Sequence, residues 1–226
     1  MAIVTYLKYA APVRGVLFDM DGVVLDTEKL YARFWQAAAM DLGFPMSFEQ
    51  ALGMRSLSRT AGQAKLESYF GPGISIEEVR ARRIELMEEY IDVNGVEIKP
   101  GIVELLEELD RQGIPRAITT SSPMERVKKY LEPMELLTRF DKICTGYDVA
   151  KGKPEPDIYL YGAASLGLKA EECLAIEDSP AGVLSAFRAG CRVVMVPDMD
   201  QPDSETQKSL YAKADSLIDV MKLLDL

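Results

Sequence analysis

Residues 13–28 of the chain read VRGVLFDMDGVVLDTE, and this stretch decides the fold. Its first part, Val13–Phe18, is a short and mostly apolar run, which is typical of a buried strand. Two aspartates, Asp19 and Asp21, follow at once and are separated by a single residue. The stretch therefore predicts a buried strand that presents two carboxylates at its carboxyl end.

Strand and helix patterns alternate along the chain from about residue 100 onward. The apolar spacing of Ile102–Gln112 indicates a helix, and the β-branched run in Arg192–Val196 indicates a strand. Further strands are predicted in residues 114–119, 140–144, 173–176 and 214–217, and further helices from residue 122 and in 157–166 and 180–189. Such alternation is typical of a parallel sheet covered on both faces. The predicted fold class is α/β, with a doubly wound, Rossmann-like parallel sheet.

Between the first strand and this alternating region, the pattern is helical. Apolar residues in 28–94 repeat at helical spacing, and no convincing strand interrupts them. We therefore predict an all-helical cap subdomain at 28–94, inserted into a core domain formed by 1–27 and 95–226. Cap and core are expected to move as two bodies that close over a substrate.

Composition restricts the partners of the chain. Its 226 residues are 48% hydrophobic and 27% charged, which is enough apolar material for a full core. The formal net charge of −10 repels nucleic acids and anionic lipids, and no apolar run has the length of a membrane span. Three unevenly spaced cysteines suggest buried thiols in a reducing compartment. We expect a cytoplasmic monomer or weak dimer without nucleic-acid or membrane partners.

The sequence contains no histidine. This excludes Ser-His-Asp and Cys-His catalysis, a histidine-ligated HExxH zinc site and any imidazole acid or base. Catalysis would have to use carboxylates, hydroxyls, lysines, backbone amides or a metal bound by oxygen.

A second acidic pair favours such a metal. Glu177 and Asp178 directly follow another predicted strand, and ligands of parallel sheets bind where the strands end. Carboxylates that meet in one site repel each other and need a cation or a shared proton, and Mg²⁺ prefers oxygen ligands. Asp19 and Asp21 alone could equally belong to an ordinary Asp/Gly turn. Their place after a strand and the second pair favour a Mg²⁺ site.

Hydroxyls and a lysine add candidates for binding an anion. Thr119–Ser122 offers four hydroxyls and backbone N–H groups at the start of a helix, although they could instead cap that helix. Lys153 could balance the carboxylates and bind phosphate, or it could be a solvated loop lysine. Its neighbour Lys151 is expected to be exposed and dispensable.

Four motifs, in order, resemble the signature of the haloacid dehalogenase (HAD) superfamily, in its β-phosphoglucomutase-like phosphatase branch. The motifs are DMDGVVLDTE at Asp19–Glu28, Thr120-Ser121, KPEPD at Lys153–Asp157 and EDSPAG at Glu177–Gly182. The resemblance spans residues 13–220 and includes the inserted helical cap.

The resemblance implies a phosphoryl-transfer site. Asp19 would be the nucleophile that forms an aspartyl-phosphate, and Asp21 the general acid and base. Mg²⁺ would be held by Asp19, by the backbone carbonyl of Asp21 and by Asp178, with Glu177 as a ligand or as support.

The resemblance also implies the residues that bind substrate. Thr120 and the amide of Ser121 would bind the transferring phosphoryl oxygens, and Lys153 would neutralise charge between that group and the nucleophile. In the cap, Arg55 is a candidate contact for substrate, although it could be a surface arginine. Asp26, just before the cap, is a further candidate.

Within the superfamily, the aspartate at position 21 favours phosphate esters over the substrates of dehalogenases and phosphonatases. Members similar to β-phosphoglucomutase carry a histidine shortly after the Asp-Thr pair of the signature, and Tyr31 stands near that place here. We therefore predict hydrolysis of a small phosphorylated metabolite, such as a sugar or polyol phosphate. A sugar phosphate mutase and a non-catalytic sugar-phosphate sensor on the same fold are the alternatives.

Overall fold

The computed structural model describes residues 3–6, 12–55, 57 and 59–224. The chain divides into two compact units, a core unit formed by Met1–Leu25 and Ile98–Leu226 and a helical unit formed by Asp26–Glu97. Among the described residues, none of the helices combines the length and the apolar content that a membrane span requires.

The core unit alternates strands with helices. The strands are β1 (Ile3–Thr5), β2 (Gly15–Phe18), β3 (Arg116–Thr120), β4 (Lys142–Thr145), β5 (Cys173–Glu177), β6 (Arg192–Met195) and β7 (Ala212–Ala214). The α-helices of both units, in chain order, are α1 (Glu28–Asp41), α2 (Phe48–Leu52), α3 (Arg59–Phe70), α4 (Ile76–Asn94), α5 (Ile102–Gln112), α6 (Met124–Leu131), α7 (Asp157–Ser165), α8 (Pro180–Ala189), α9 (Ser204–Gln207) and α10 (Leu217–Met221). Short 3-10 helices lie at Glu132–Met134, Leu137–Arg139 and Ala170–Glu172.

The seven strands form one sheet in the order β1-β7-β6-β5-β2-β3-β4. Every pair from β7 to β4 is parallel, and only β1 runs antiparallel to its neighbour β7. The α/β class with a doubly wound, mostly parallel sheet is confirmed.

Strand β2 lies at the centre of this sheet, between β5 and β3. All four of its residues are buried, as expected for a parallel strand that is covered on both faces. Phe18 pairs with Ile176 of β5 and with Ile118 of β3. The residues that follow these three strands are therefore neighbours at one edge of the sheet.

Helix α8 begins and ends at residues with clear local signals. The Ser179 hydroxyl accepts a hydrogen bond from the Gly182 backbone N–H at 3.2 Å, and Pro180 occupies the first helical position. Gly190 ends the helix in the left-handed conformation with φ of 93°. This places the first turn of α8 directly after the acidic end of β5.

The helical unit consists of α1–α4 in the residues that the structure describes. Its core is an apolar cluster contributed by all four helices and the connections between them. The fully buried members of that cluster include Ala38, Ala39, Ala51, Leu66 and Val79.

Three segments are poorly defined by the sequence. The sequence left residues 1–11 open between a ragged start and a strand edge, and Ile3–Thr5 forms the edge strand β1, while residues 1, 2 and 7–11 lie outside the described part of the chain. The polar segment 201–206, predicted as a loop, contains most of α9 because Asp203 caps its Thr206 N–H at 2.7 Å. The last strand ends at Ala214, since Ser216 caps α10.

Helix α7 packs closely on the sheet at Gly162. A Cβ atom at this position would lie 2.6 Å from Thr119 Cγ2 and 3.3 Å from Leu17 Cδ2. Helix propensity alone would make Gly162→Ala stabilising by about 1 kcal/mol. We expect the opposite, a decrease of about 1–3 kcal/mol in the free energy of unfolding, because the added carbon overpacks the core.

Urea unfolding measures this difference. Ala164→Gly, at an exposed position of the same helix, is the control and should cost only about the propensity difference of 1 kcal/mol. A more stable Gly162→Ala variant would show that the contact between α7 and the sheet is looser than described.

Candidate active site

Strand ends bring three of the sequence motifs together. Asp19 follows β2, Glu177 ends β5, and Thr120 ends β3. The Asp19 backbone N–H continues the pairing of β2 with β5 by donating to the Ile176 carbonyl at 3.0 Å. The parallel register therefore places the two acidic motifs side by side.

Three of the carboxylates form a compact buried cluster. Asp19, Glu177 and Asp178 are 8%, 0% and 6% exposed, and one oxygen of each lies within 4.8 Å of the others. Burial raises the pKa of Asp19 to about 8, opposed by Lys153 and reinforced by Glu177 and Asp21. Hard oxygen ligands at this spacing suit a cation such as Mg²⁺.

A single lysine side chain enters the cluster. Lys153 Nζ donates to Asp19 Oδ1 at 2.5 Å and to Glu177 Oε1 at 2.6 Å, and its side chain is only 10% exposed. Burial opposes its charge, but Asp19 and Glu177 outweigh burial and hold the pKa of Lys153 well above its usual value. The alternative of a solvated loop lysine is therefore wrong, whereas Lys151 is exposed as expected.

The hydroxyl segment Thr119–Ser122, at the end of β3, is divided between two tasks. Thr119 Oγ1 donates to the Phe18 carbonyl at 3.2 Å and so ties β3 to β2. Thr120 Oγ1 accepts from the Ser122 N–H at 3.0 Å, and Ser122 Oγ donates to Asp21 Oδ2 at 3.0 Å. Ser121 is exposed at the tip of this turn. The segment thus orients Asp21 rather than capping α6, whose N-cap residue is Pro123.

The family follows from comparison with known proteins. The family model for haloacid dehalogenase-like hydrolases matches residues 16–196. The chain belongs to this family. The resemblance predicted from the four motifs is confirmed.

Two curated relatives of this HAD-type hydrolase are named as phosphatases. Hexitol phosphatase A from Escherichia coli is 36% identical over 81% of this chain and 82% of the relative. The probable pseudouridine-5'-phosphatase from Drosophila melanogaster is 36% identical over 91% of this chain and 89% of the relative. The predicted enzyme class, a HAD-type phosphatase, is confirmed.

A solved structure agrees on the fold. The β-phosphoglucomutase from Clostridium difficile superposes with a TM-score of 0.71 over 91% of this chain and 92% of its own, at 23% identity. At this identity, the similarity concerns the architecture of the HAD fold alone.

The sequence analysis did not identify Tyr159 as part of the site. Its side chain is fully buried on α7, and Tyr159 Oη donates to Glu177 Oε1 at 2.5 Å. Its ring also lies beneath Lys153 Nζ, 5.1 Å from the ring centroid. Burial and the negative charge of Glu177 raise the pKa of Tyr159 well above its usual value. The only signal in the sequence was the place of Tyr159 six residues after Lys153. That place is equally typical of an aromatic residue of the core.

Gly182 is a second residue whose role the sequence did not reveal. A Cβ atom there would lie 1.9 Å from Glu177 Oε1 and 2.0 Å from its carboxyl carbon. The Glu177 carboxylate therefore occupies the space that any side chain at position 182 would need.

Two predicted site residues, Arg55 and Asp26, belong to the helical unit. Arg55 is buried, and its guanidinium donates to Glu28 Oε2 and to the Leu52 carbonyl, both at 3.1 Å. The alternative of a surface arginine is therefore wrong. Asp26 pairs with Lys29 at 2.7 Å. Their roles toward a substrate stay predictions.

The Gly182→Ala variant tests how tightly Glu177 is held. Because the added methyl group overlaps the carboxylate, Glu177 must leave the position in which it binds Lys153, and we expect at least about a tenfold loss of phosphatase activity. The free energy of unfolding should fall by about 1–3 kcal/mol, and for a domain of this size such a loss lowers the melting temperature by several degrees.

Both quantities are read from one preparation, by phosphate release and by thermal unfolding. Ala181→Gly, at the neighbouring position of α8, changes the same helix without adding an atom beside Glu177. Wild-type activity in Gly182→Ala would contradict the described packing.

Proposed function

We propose that the chain is a Mg²⁺-dependent phosphomonoester hydrolase that works through an aspartyl-phosphate on Asp19. The observation that carries this proposal is the buried Lys153 ammonium between Asp19 and Glu177, with Asp178 in the same cluster. An anionic nucleophile can approach an anionic phosphate only where cations offset both charges. This cluster supplies one such cation and the ligands for another.

The chemistry of the donor set fits Mg²⁺. Asp19 and Asp178 would be carboxylate ligands, the backbone carbonyl of Asp21 a third ligand, and Glu177 a ligand or a support. When bound, Mg²⁺ supplies positive charge to the phosphoryl oxygens. It would also offset the excess of carboxylates over ammonium groups in the cluster.

In the first half of the reaction, an Asp19 carboxylate oxygen attacks phosphorus and the bond from phosphorus to the ester oxygen breaks. Asp21 donates its proton to the departing alkoxide, and the alcohol leaves. Ser122 orients Asp21 for this transfer through its 3.0 Å hydrogen bond. Lys153, with Thr120 and the Ser121 amide, would hold the phosphoryl oxygens.

In the second half, the ionised Asp21 removes a proton from water. The water oxygen bonds to phosphorus, the bond from phosphorus to Asp19 breaks, and inorganic phosphate leaves with the Asp19 carboxylate restored. Asp21 then carries the proton that the next cycle needs, so the two halves balance.

The proposed substrate is a small phosphorylated metabolite such as a sugar or polyol phosphate. The names of the relatives, which refer to hexitol and pseudouridine phosphates, support a small hydroxylated leaving group. Arg55 and Asp26 are the proposed substrate contacts of the helical unit. Hydrolysis is favoured over a sugar phosphate mutase reaction because the chain has no histidine at or near Tyr31.

Asp19→Asn tests the nucleophile. We expect Mg²⁺-dependent phosphate release from a panel of small phosphomonoesters, at least a thousandfold reduced in Asp19→Asn and abolished by EDTA, because covalent catalysis needs this carboxylate. Glu171→Gln, which removes an exposed carboxylate of the same unit, is the control and should retain wild-type rates.

The same panel distinguishes hydrolysis from a mutase reaction. It includes β-glucose 1-phosphate with a trace of glucose 1,6-bisphosphate, followed for glucose 6-phosphate. Conversion to glucose 6-phosphate with little free phosphate would contradict the proposed hydrolysis. Release that persists in Asp19→Asn would contradict the proposed nucleophile.

The raised pKa of Asp19 predicts proton release when Mg²⁺ binds. Without the cation, Asp19 has a pKa of about 8, against 3.8 as its ordinary value, so its contribution to stability is lost as pH rises from about 4 through 8. Because Mg²⁺ requires the ionised carboxylate, we expect close to one proton released per ion at pH 6.5 and almost none at pH 9.

Calorimetric titration with Mg²⁺ in buffers of different ionisation enthalpy measures this proton. Asp21→Asn keeps Asp19 and its pKa-raising burial, so it should release a proton at pH 6.5 as well. The absence of release at pH 6.5 in the wild type would show that Asp19 is already ionised without the cation.

A further inference from the structure

Glu177 has its carboxylate oxygens engaged by donors from three elements. Oε1 accepts from Lys153 Nζ at 2.6 Å and from Tyr159 Oη at 2.5 Å. Oε2 accepts from the Asp178 N–H at 3.2 Å and from the Ser179 hydroxyl at 3.3 Å. A carboxylate held by this many donors has one orientation, and Lys153 is bound to it in that orientation.

Tyr159 is linked to the same ammonium group through a shared acceptor and through its ring. Its hydroxyl shares Glu177 Oε1 with Lys153, and its ring lies 5.1 Å from Lys153 Nζ. A phenylalanine would fill the same space and keep the ring contact, so the hydroxyl needs its own explanation. A buried hydroxyl is costly unless it is hydrogen-bonded, and here Glu177 is its acceptor.

We propose that Tyr159 is a positioning residue, which fixes Glu177 so that Glu177 holds the Lys153 ammonium against the nucleophile Asp19. The inference rests on the proposed function, in which Lys153 neutralises charge between Asp19 and the phosphoryl group. Tyr159 itself touches neither the substrate nor the nucleophile in this scheme. Its effect on the reaction passes through Glu177 and Lys153.

Lys153 and Tyr159, the two donors to Glu177 Oε1, come from one short segment of the chain. Lys153 lies in the loop before α7, and Tyr159 is in the first turn of α7, which packs on β2 and β3. The Tyr159 N–H donates to the Pro156 carbonyl at 3.1 Å, which fixes the start of the helix. The loop before α7 and the first turn of α7 therefore both donate to Glu177 Oε1, while Gly182 of α8 leaves the space that the carboxylate occupies.

Tyr159→Phe is the direct test because it removes only the hydroxyl. We expect kcat for a phosphomonoester to fall about tenfold, the worth of one hydrogen bond to a charged group, with a smaller change in KM. The fall should be larger in kcat because Lys153 acts most strongly on charge that develops in the transition state. Tyr130→Phe, which removes the hydroxyl of another buried tyrosine of the core unit, should leave both constants within twofold.

A double-mutant cycle distinguishes positioning from a general loosening of the core. It is measured on the affinity for inorganic phosphate in the presence of Mg²⁺, so that it needs no turnover. We expect Tyr159→Phe to weaken phosphate binding about fivefold in the wild type and less than 1.5-fold in the Lys153→Met background. An equal loss in both backgrounds would overturn the proposal, because Tyr159 would then act independently of Lys153.

Different results would contradict the proposed function and the proposed role of Tyr159. A wild-type chain that releases no phosphate from any ester contradicts the proposed function. A wild-type chain that is active, together with a Tyr159→Phe variant of equal kcat, contradicts only the role of Tyr159.

Discussion

The acidic site of the core unit is built around a buried cation, the ammonium group of Lys153. Removing an ion from water costs several kcal/mol, and the cost is offset only by close partners of opposite charge. Asp19 and Glu177 provide those partners at 2.5 and 2.6 Å. Burial raises the pKa of Asp19, opposed by Lys153 and reinforced by Glu177 and Asp21, and the two carboxylates that face one ammonium make a divalent cation favourable.

This arrangement requires residues that are far apart in the chain to meet at one edge of the sheet. Lys153 and Asp19 are separated by 134 positions, and Lys153 and Glu177 by 24. Strand β2 lies between β5 and β3 although it precedes both in sequence, because the connection from β4 to β5 returns the chain from the sheet edge to the other side of β2. The order of strands, rather than any local preference, brings the motifs together.

The sequence predicted those parts of the structure that depend on local chemistry. Helix α8 has the predicted bounds because a capping serine precedes it and a glycine follows it, and β2 is the expected apolar run. The edge strand β1 was left open between a ragged start and a strand edge because its pairing with β7 comes from a distant segment. The site was predicted where charge made residues conspicuous. Tyr159 was missed because an aromatic side chain in a helix usually indicates a core position.

The contacts described for the core unit engage the proposed nucleophile Asp19, its cation partner Lys153 and the proposed acid at position 21. Lys153, Tyr159 and Gly182 act on Glu177 and Asp19, and none of these contacts depends on the nature of a leaving group. A network of this kind can serve any phosphate ester, so discrimination among esters must come from side chains outside it. Arg55 and Glu28 form a buried ion pair in the helical unit, and replacing one partner would leave the other charge buried and uncompensated. The proposed substrate contacts of the helical unit can therefore be varied more readily around this pair than within it.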